Sequence, residues 1–252
     1  TLLASQAIIE NGSINLYSYK TGAAPEQFSS GKWKFTNRQR NETIYYSYPY
    51  GAVFISIPFV AAGNALGLDM SIPAHESWMQ CLLAALSAIA IFLLTDRLLQ
   101  LLTSSHIALF ISLLMAFGST YMSTVGSALW SFNYQLIFIL LAVIQIIKAE
   151  TGKAERVNPF LFGSLLFGAW LCRPSSLGFI AIAGLWIILR QRKSVFAFAG
   201  ILVAWFSVFV MFSQQTFGLF LPPYYNPFFW TYSTVTYSTF PSRFMAMLFS
   251  PA

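Results

Sequence analysis

The chain has 252 residues, of which 57% are hydrophobic, 17% aromatic and only 9% charged. Soluble domains carry about 25% charged residues, so a water-soluble fold with this composition would expose large apolar patches and associate. The formal net charge of +6 would suit a nucleic-acid-binding protein, but the cations stand in short clusters between apolar runs, which is typical of membrane topology. Composition therefore predicts an all-α, polytopic transmembrane helical bundle that contacts the lipid bilayer and binds no nucleic acid.

Residues 1–50 are predicted to form a long first outer loop with short interfacial helices. They contain no apolar run that reaches the roughly 20 residues a bilayer crossing requires. A short amphipathic stretch ends at Asn11-Gly12, a polar and basic segment follows, and the aromatic run 45–50 closes the loop. The chain opens at Thr1 without a basic leader or an initiator methionine, so we expect an N-terminal part to precede it.

Residues 51–68 carry no charge but are poorly suited to a stable crossing. Pro58 stands near the middle of this segment, and three glycines weaken a helix further. We therefore expect an interfacial or re-entrant helix, with residues 1–48 outside. A true span at 51–68 would instead place the basic segment 1–48 in the cytoplasm, as its charge alone would favour.

The remaining apolar runs predict a transmembrane bundle over 78–213. No charged residue occurs from 98 to 147, and a single helix of that length, about 75 Å, is far too long for one crossing. Ser, Thr and Gly accumulate between 118 and 133, which indicates a turn there. The predicted spans are 78–95, 106–124, 129–147 and 194–213.

A helical hairpin is predicted over 157–189. Its one charged residue, Arg173, directly precedes Pro174, and a residue before proline avoids the helical conformation. The chain therefore turns at this point. Residues 214–252 form an aromatic outer loop that we expect to lead into further chain.

Basic residues between the spans predict the orientation. Two spans, and then the hairpin, separate three basic loops, so all three loops face one side, which the positive-inside rule makes cytoplasmic. The loops 69–77 and 119–130 and the segment from 214 onward then face outward. The seven cations of these loops are Arg97, Lys148, Lys153, Arg156, Arg190, Arg192 and Lys193.

Four short motifs occur along the chain: Tyr48-Pro49-Tyr50-Gly51 with Ile57-Pro58-Phe59, then Gly126-Ser127-Ala128-Leu129-Trp130, Arg173-Pro174, and Leu248-Phe249-Ser250-Pro251. In this order they resemble segments of the bacterial GT-C glycosyltransferases related to protein O-mannosyltransferases and aminoarabinose transferases. Tyr50 stands where that family has the second proline of its first motif.

The resemblance implies an enzyme that transfers a sugar from a polyprenyl-phosphate donor at the outer face of a bacterial inner (plasma) membrane. It leaves the acceptor open. The acidic catalytic residue of such enzymes lies early in the first outer loop, and we expect its counterpart upstream of Thr1, so no catalytic residue is assigned. The sequence requires no cofactor and leaves a divalent metal open.

Transfer from a sugar phosphate needs a proton acceptor, positive charge for the leaving phosphate and a surface for the sugar. Among the acids predicted to face outward, Glu42 and Glu10 are weak candidates for the base, with solvated loop residues as the alternative. Aromatic side chains predicted to line the sugar site are Tyr46, Tyr48, Tyr224 and Tyr225, although such residues also form interfacial belts. Candidate phosphate ligands are Arg173, Arg243, Arg38, Arg40 and Lys34.

Other polar or reactive residues favour structural roles. Cys81 and Cys172 lie in apolar runs and are predicted to be buried structural thiols. His75 and Glu76 are adjacent and would not converge on a metal. The rival function is a transporter or flippase for a lipid-linked or small substrate, since broken helices often line transport sites. A structural subunit is a third hypothesis, but it leaves Arg173 and the aromatic loops without a role.

Overall fold

A computed structural model describes residues 1–21, 44–46, 48–119, 124–126, 128–153 and 156–225. Within these residues the regular structure is helical, and the only other pairing is an isolated bridge at Ile44, so the all-helical prediction is confirmed for this part of the chain. The fold divides into two compact units, Thr1–Phe209 and Val210–Ala252.

The N-terminal helix α1, Leu2–Asn11, is followed by the short helix α2, Tyr17–Thr21. Helix α1 ends at Gly12, which adopts a left-handed conformation (φ 62°) and donates its N–H to the carbonyl of Ile8. The residues from Leu2 to Ala7 are all buried, so every face of this part of the helix is covered. The predicted amphipathic character is therefore wrong, because α1 is enclosed along its first half rather than along one stripe.

Helix α3, Tyr50–Ala65, corresponds to the predicted segment 51–68 but begins one residue earlier and ends three residues earlier. Pro58 lies inside α3 without ending it. The 16 residues span about 24 Å, less than the roughly 30 Å hydrocarbon core of a bilayer. Helix α1 packs against α3, and Ser5 Oγ donates a hydrogen bond of 2.8 Å to the carbonyl of Val53.

Helix α4, Pro73–Gln100, is longer than the predicted span 78–95 by five residues at each end. Proline suits its first position, where the missing N–H would have no helical partner. The predicted outer loop 69–77 is therefore wrong for residues 73–77, which are helical. Asp96 and Arg97 lie within the last turns of α4 rather than beyond its end.

Helix α5, Ser105–Gly118, is shorter than the predicted span 106–124. It ends at Gly118, six residues before the predicted end, and residues 120–123 lie outside the described part of the chain. Its 14 residues span about 21 Å. The next helix, α6, covers Ser131–Glu150, so the predicted break between 118 and 133 is confirmed, while the predicted bounds 129–147 are shifted by two to three residues.

The predicted hairpin consists of α7, Pro159–Cys172, and α8, Leu177–Arg190, joined by a 3-10 turn at Pro174–Ser176. The rings of Phe162, early in α7, and Trp186, late in α8, lie 6.1 Å apart, so the two helices run antiparallel. A second 3-10 turn at Arg192–Ser194 leads into α9, Val195–Phe217, which extends beyond the predicted span 194–213.

Three helices in the described part of the chain are long and apolar enough to cross a membrane, which supports a membrane protein. In the last of them only 11% of the most apolar window is buried within the protein, so most of its apolar side chains need another apolar environment. The three are Pro73–Gln100, Ser131–Glu150 and Arg192–Phe217. Shorter apolar helices are Tyr50–Ala65, Ser105–Gly118, Pro159–Cys172 and Pro174–Arg190.

Polar contacts bring the three basic loops to one end of the bundle. Lys153 Nζ donates a hydrogen bond of 3.1 Å to the carbonyl of Leu101, which joins the segments after α6 and after α4. Glu150 Oε1 accepts a hydrogen bond of 2.7 Å from Trp186 Nε1 and lies 3.8 Å from Arg190 Nε, which joins the ends of α6 and α8. We call this the basic end, defined by Arg97, Lys148, Lys153, Arg156, Arg190, Arg192 and Lys193.

The opposite end holds the turn between α7 and α8. Gln135 Nε2, in the first turns of α6, donates a hydrogen bond of 2.8 Å to Ser176 Oγ in that turn. The start of α6 and the turn at Pro174–Ser176 therefore lie together, and we call this the hairpin end. Basic loops and motif residues thus occupy opposite ends, in agreement with the predicted order of the spans.

Candidate functional site

Arg173 lies at the tip of the hairpin, where α7 ends. Pro174 holds it in an extended conformation (φ −159°, ψ 115°), while its N–H still donates to the carbonyl of Ala169 at 3.0 Å. Its side chain is exposed and forms no hydrogen bond or ion pair with any residue that the structure describes. The guanidinium is therefore free to contact a ligand or a lipid head group.

Ser176 holds the tip in place. Its buried hydroxyl donates a hydrogen bond of 3.0 Å to the carbonyl of Ala169 and accepts the bond from Gln135. The turn is thereby tied both to the end of α7 and to α6. Such bonds limit the motion of the backbone that carries Arg173.

Gly51, at the start of α3, contacts the end of α7 directly. A Cβ at Gly51 would lie 2.6 Å from the backbone nitrogen of Cys172 and 2.7 Å from its Cα, so no side chain fits. Ala52, Cys172 and Tyr134 of α6 form one buried apolar cluster, and Leu129 packs against it. Gly51 of the first motif and Leu129 of the second therefore pack against the cluster at the end of α7, directly before the third motif, Arg173-Pro174. The fourth motif, Leu248-Phe249-Ser250-Pro251, lies outside the described residues.

Three tyrosines, Tyr46, Tyr48 and Tyr50, lie at or just before the start of α3. Tyr50 is buried, and its hydroxyl donates a hydrogen bond of 2.7 Å to the carbonyl of Tyr46. The rings of Tyr46 and Tyr48 lie 5.5 Å apart, and Tyr48 is 51% exposed. Two of the four aromatic residues predicted for the sugar site thus lie together before the N-terminus of α3, with Tyr48 exposed and Tyr46 half-buried.

A second polar group, centred on Gln6, lies on the α1 side of α3. The Gln6 side chain is buried, and its Nε2 donates hydrogen bonds of 2.8 Å to both Glu10 Oε1 and Asp69 Oδ1. Its Oε1 accepts a bond of 2.6 Å from the N–H of Met70, and Tyr19 donates its hydroxyl to Glu10 Oε2. One buried amide therefore links α1 to the loop before α4 and connects two carboxylates.

Asp69 is held as a carboxylate within this group. Burial favours its neutral form, but the bonds from Gln6 and from the N–H of Ser71, together with His75, outweigh that effect, so the pKa of Asp69 lies below its usual value. The N–H of Asp69 donates to His75 Nδ1 at 3.0 Å. Burial, with the hydrogen bond to Glu10 in second place, raises the pKa of Tyr19.

The sequence carries little signal for the Gln6 group. Glu10 is a weak candidate there, Asp69 begins the predicted outer loop 69–77, and nothing in the pattern distinguishes Gln6. The contact between Gln6 and Asp69 joins residues 63 positions apart, so no local spacing reveals it. In the described residues, no three His, Cys, Asp or Glu side chains are placed to hold a metal ion.

Helix α3 separates the Gln6 group from Arg173. Ser5, adjacent to Gln6, bonds to Val53 on one side of α3, while Gly51 contacts Cys172 on another. Both contacts involve the first turn of α3. Helix α1, which carries Gln6, and the end of α7, which carries Arg173, therefore contact the first turn of α3 from different sides.

An apolar cavity of about 430 Å³ opens between α4 and α5. Its lining is almost wholly hydrocarbon, and Gly126 of the second motif forms part of it. A cavity of this size and character suits an alkyl or isoprenoid chain better than a polar substrate. Other lining residues are Ala85, Ala88, Ile89, Leu113 and Ala116.

The remaining candidate residues are distributed unevenly. Tyr224 and Tyr225 lie in the second unit with their rings 5.8 Å apart. Cys172 is buried as predicted, but Cys81 is exposed on α4, so the prediction of a buried thiol is wrong there. Glu42, Arg38, Arg40, Lys34 and Arg243 lie outside the described residues.

In comparisons with protein-family models, curated proteins and solved structures, nothing matches this chain.

Proposed function

We propose that this chain acts as an integral, multi-pass membrane glycosyltransferase of the GT-C type, which transfers a sugar from a polyprenyl-phosphate donor to an acceptor at the outer face of the membrane. The observation that carries the proposal is the packing of Gly51 of the first motif and Leu129 of the second against the end of α7, directly before the exposed Arg173 of the third motif. These segments are far apart in the sequence but close together in space, as residues of one binding site must be.

Arg173 is the proposed ligand of the donor phosphate. A guanidinium can bind two phosphate oxygens at once, and that pairing stabilises the negative charge that grows on the leaving group. The bonds of Ser176 to Ala169 and Gln135 support this role, because they position the turn that carries the arginine. The apolar cavity between α4 and α5 offers a place for the carrier chain.

No proton acceptor is assigned in the proposal. Glu10 and Asp69 belong to the Gln6 group, on the other side of α3 from Arg173, and a base must lie within hydrogen-bond reach of the acceptor beside the donor phosphate.

The proposed placement in the membrane has the hairpin end outside and the basic end in the cytoplasm. Helix α3 would lie along the outer interface, since its first turn contacts the tip of the hairpin and its Gly63 packs against Met79 in the second turn of α4. No charged residue occurs in the middle of α4, α6 or α9, which favours an enzyme at the interface over a transporter with a polar midplane path.

The experiment compares Arg173→Ala and Arg173→Lys with a control, Arg192→Ala, in membranes with matched expression. Sugar transfer from a polyprenyl-phosphate donor is measured, and flipping of the same lipid is measured in parallel. We expect Arg173→Ala to lose about a hundred-fold in transfer, Arg173→Lys to lose less, and the exposed but distant Arg192→Ala to retain wild-type transfer.

Equal transfer by Arg173→Ala and by the Arg192→Ala control would remove Arg173 from the site. Lipid movement without transfer in the wild-type protein would replace the proposed enzyme with the rival transporter or flippase.

A further inference from the structure

We infer that the turn between α8 and α9, at the basic end, binds the head group of an anionic phospholipid, whose acyl chains lie along the apolar side chains next to that turn. The inference requires that the helices lie in a bilayer. It does not depend on glycosyltransferase activity, and the two proposals can fail independently.

Positive charge at this end exceeds what the described acids can neutralise. Glu150 already pairs with Arg190 and accepts the bond from Trp186, and Asp96 Oδ2 accepts a bond of 2.6 Å from Gln100. The cations Lys148, Arg156, Arg192 and Lys193 make no hydrogen bond or ion pair with the residues that the structure describes. Arg192 and Lys193 are adjacent, exposed and carried by one short turn, so they form the strongest concentration of unneutralised charge.

Apolar side chains lie within about two helical turns of these cations on both sides. Phe196, in the first turn of α9, is 88% exposed. Leu189 and Leu185 lie one turn apart on α8 and are both more than half exposed. The turn thus presents positive charge next to bare hydrocarbon, which matches the phosphate and the chains of a phospholipid.

A free phosphate would satisfy only half of this arrangement. It would pair with Arg192 and Lys193 but would leave Phe196 and the two leucines without an apolar partner. An anionic phospholipid covers both features, and the cytoplasmic leaflet is rich in such lipids. Neutral phospholipids would cover the hydrocarbon but would not compensate the net positive charge.

The test measures lipid binding to the full chain, purified in detergent, with phosphatidylglycerol, phosphatidylcholine or inorganic phosphate as the probe. Native mass spectrometry gives the retained lipid, and titration gives the affinity. We expect the double variant Arg192→Gln/Lys193→Gln to bind phosphatidylglycerol about thirty-fold more weakly, since each cation contributes about five-fold. Arg97→Gln serves as the control and should retain wild-type affinity, since it removes one exposed cation from a different helix, α4, where the guanidinium already donates to Gln100 Oε1.

Phe196→Ser separates the lipid from a free anion. It should weaken phosphatidylglycerol binding and leave the binding of inorganic phosphate unchanged. All variants alter exposed side chains, and their thermal melting should match that of the wild-type protein. Unchanged phosphatidylglycerol affinity in the double variant would overturn the inference, as would equal binding of phosphatidylcholine, or full displacement of the lipid by inorganic phosphate.

Discussion

At the scale of single residues, Gly51 and Gln6 hold the two sides of α3 in different ways. Gly51 acts by the absence of a side chain, which lets the backbone of α3 contact the backbone at Cys172. Gln6 acts through its side-chain amide, whose nitrogen donates two hydrogen bonds and whose oxygen accepts a third. Neither role depends on catalysis, so both can be tested by stability alone.

Gly51→Ala should destabilise the protein by about 1–3 kcal/mol, because its Cβ would lie 2.6 Å from the nitrogen of Cys172 and the helices must move apart. Thermal melting of the purified protein in detergent measures the effect. Gly184→Ala is the matched control, since nothing lies within 4 Å of the point that its Cβ would occupy and alanine favours the helix. The prediction fails if Gly51→Ala, like the Gly184→Ala control, melts at or above the wild-type temperature.

Gln6→Leu should destabilise the protein by about 2 kcal/mol at neutral pH, because it leaves the Asp69 carboxylate and the N–H of Met70 without their buried partner. The loss depends on pH. The pKa of Asp69 is lowered in the folded state, so its stabilising effect is present above the ordinary aspartate pKa of about 3.9 and is lost as pH falls through the folded pKa.

The difference in stability between wild type and Gln6→Leu should therefore be largest at neutral pH and should shrink below about pH 4. Melting curves over a pH series give this difference directly. Gln191→Leu, in the turn after α8, is the control and should show no such dependence. A difference that stays constant down to acid pH would remove Asp69 from the explanation.

At the scale of elements, proline has opposite effects at two positions. Pro174 ends α7, because it follows a residue that it forces out of the helical conformation. Pro58 lies in the interior of α3, which continues through it. The difference follows from the surroundings: α1 packs along α3, and the contacts of Gly51 and Gly63 secure both of its ends.

Pro58→Ala should therefore raise the melting temperature. Alanine restores the N–H that bonds to the carbonyl four residues earlier and removes the steric conflict of the ring, a gain of up to about 3 kcal/mol. Pro58 is exposed, so the change leaves no cavity. A lower melting temperature would mean that the ring contributes packing or helix geometry that alanine cannot replace.

At the scale of the whole molecule, the ends of the bundle have different chemistry. The basic end is held by Lys153 and Glu150, whereas the hairpin end combines motif residues, tyrosines and Arg173. Orientation in a membrane follows from this asymmetry. A test of this orientation requires a labelling site at each end of the bundle and a third in the N-terminal segment.

Single cysteines at Ser13, Ser175 and Lys193, each in a Cys81→Ser background, supply these labelling sites. Cys172 is buried and can remain. All three positions are exposed. We expect Ser13→Cys and Ser175→Cys to react with a membrane-impermeant maleimide in intact cells, and Lys193→Cys to react only after permeabilisation. Labelling of Ser13→Cys only after permeabilisation would place residues 1–48 in the cytoplasm and contradict the interfacial position of α3.

The sequence by itself determined the helical class, the main breaks and the clustering of positive charge between apolar runs. The break at Arg173 and the break between the end of α5 and the start of α6 were predictable because proline, glycine and runs of small polar residues act on the backbone locally. The ends of α4 were not predictable from the sequence, because the helix continues beyond its apolar segment at both ends. Polar residues there, such as Glu76 and Arg97, also suit the termini of a helix and do not mark its limits.

Only the tertiary structure decided which distant residues contact one another. The pairing of Gln6 with Asp69 and of Gly51 with Cys172 joins positions far apart in the chain, and neither periodicity nor composition carries information about such contacts. The burial of α1 was missed for the same reason: its apolar residues looked like one stripe, but the packing of α3 and the loop before α4 encloses the first half of the helix on all sides. Local chemistry thus determined the helices, and long-range packing determined which of their polar side chains meet.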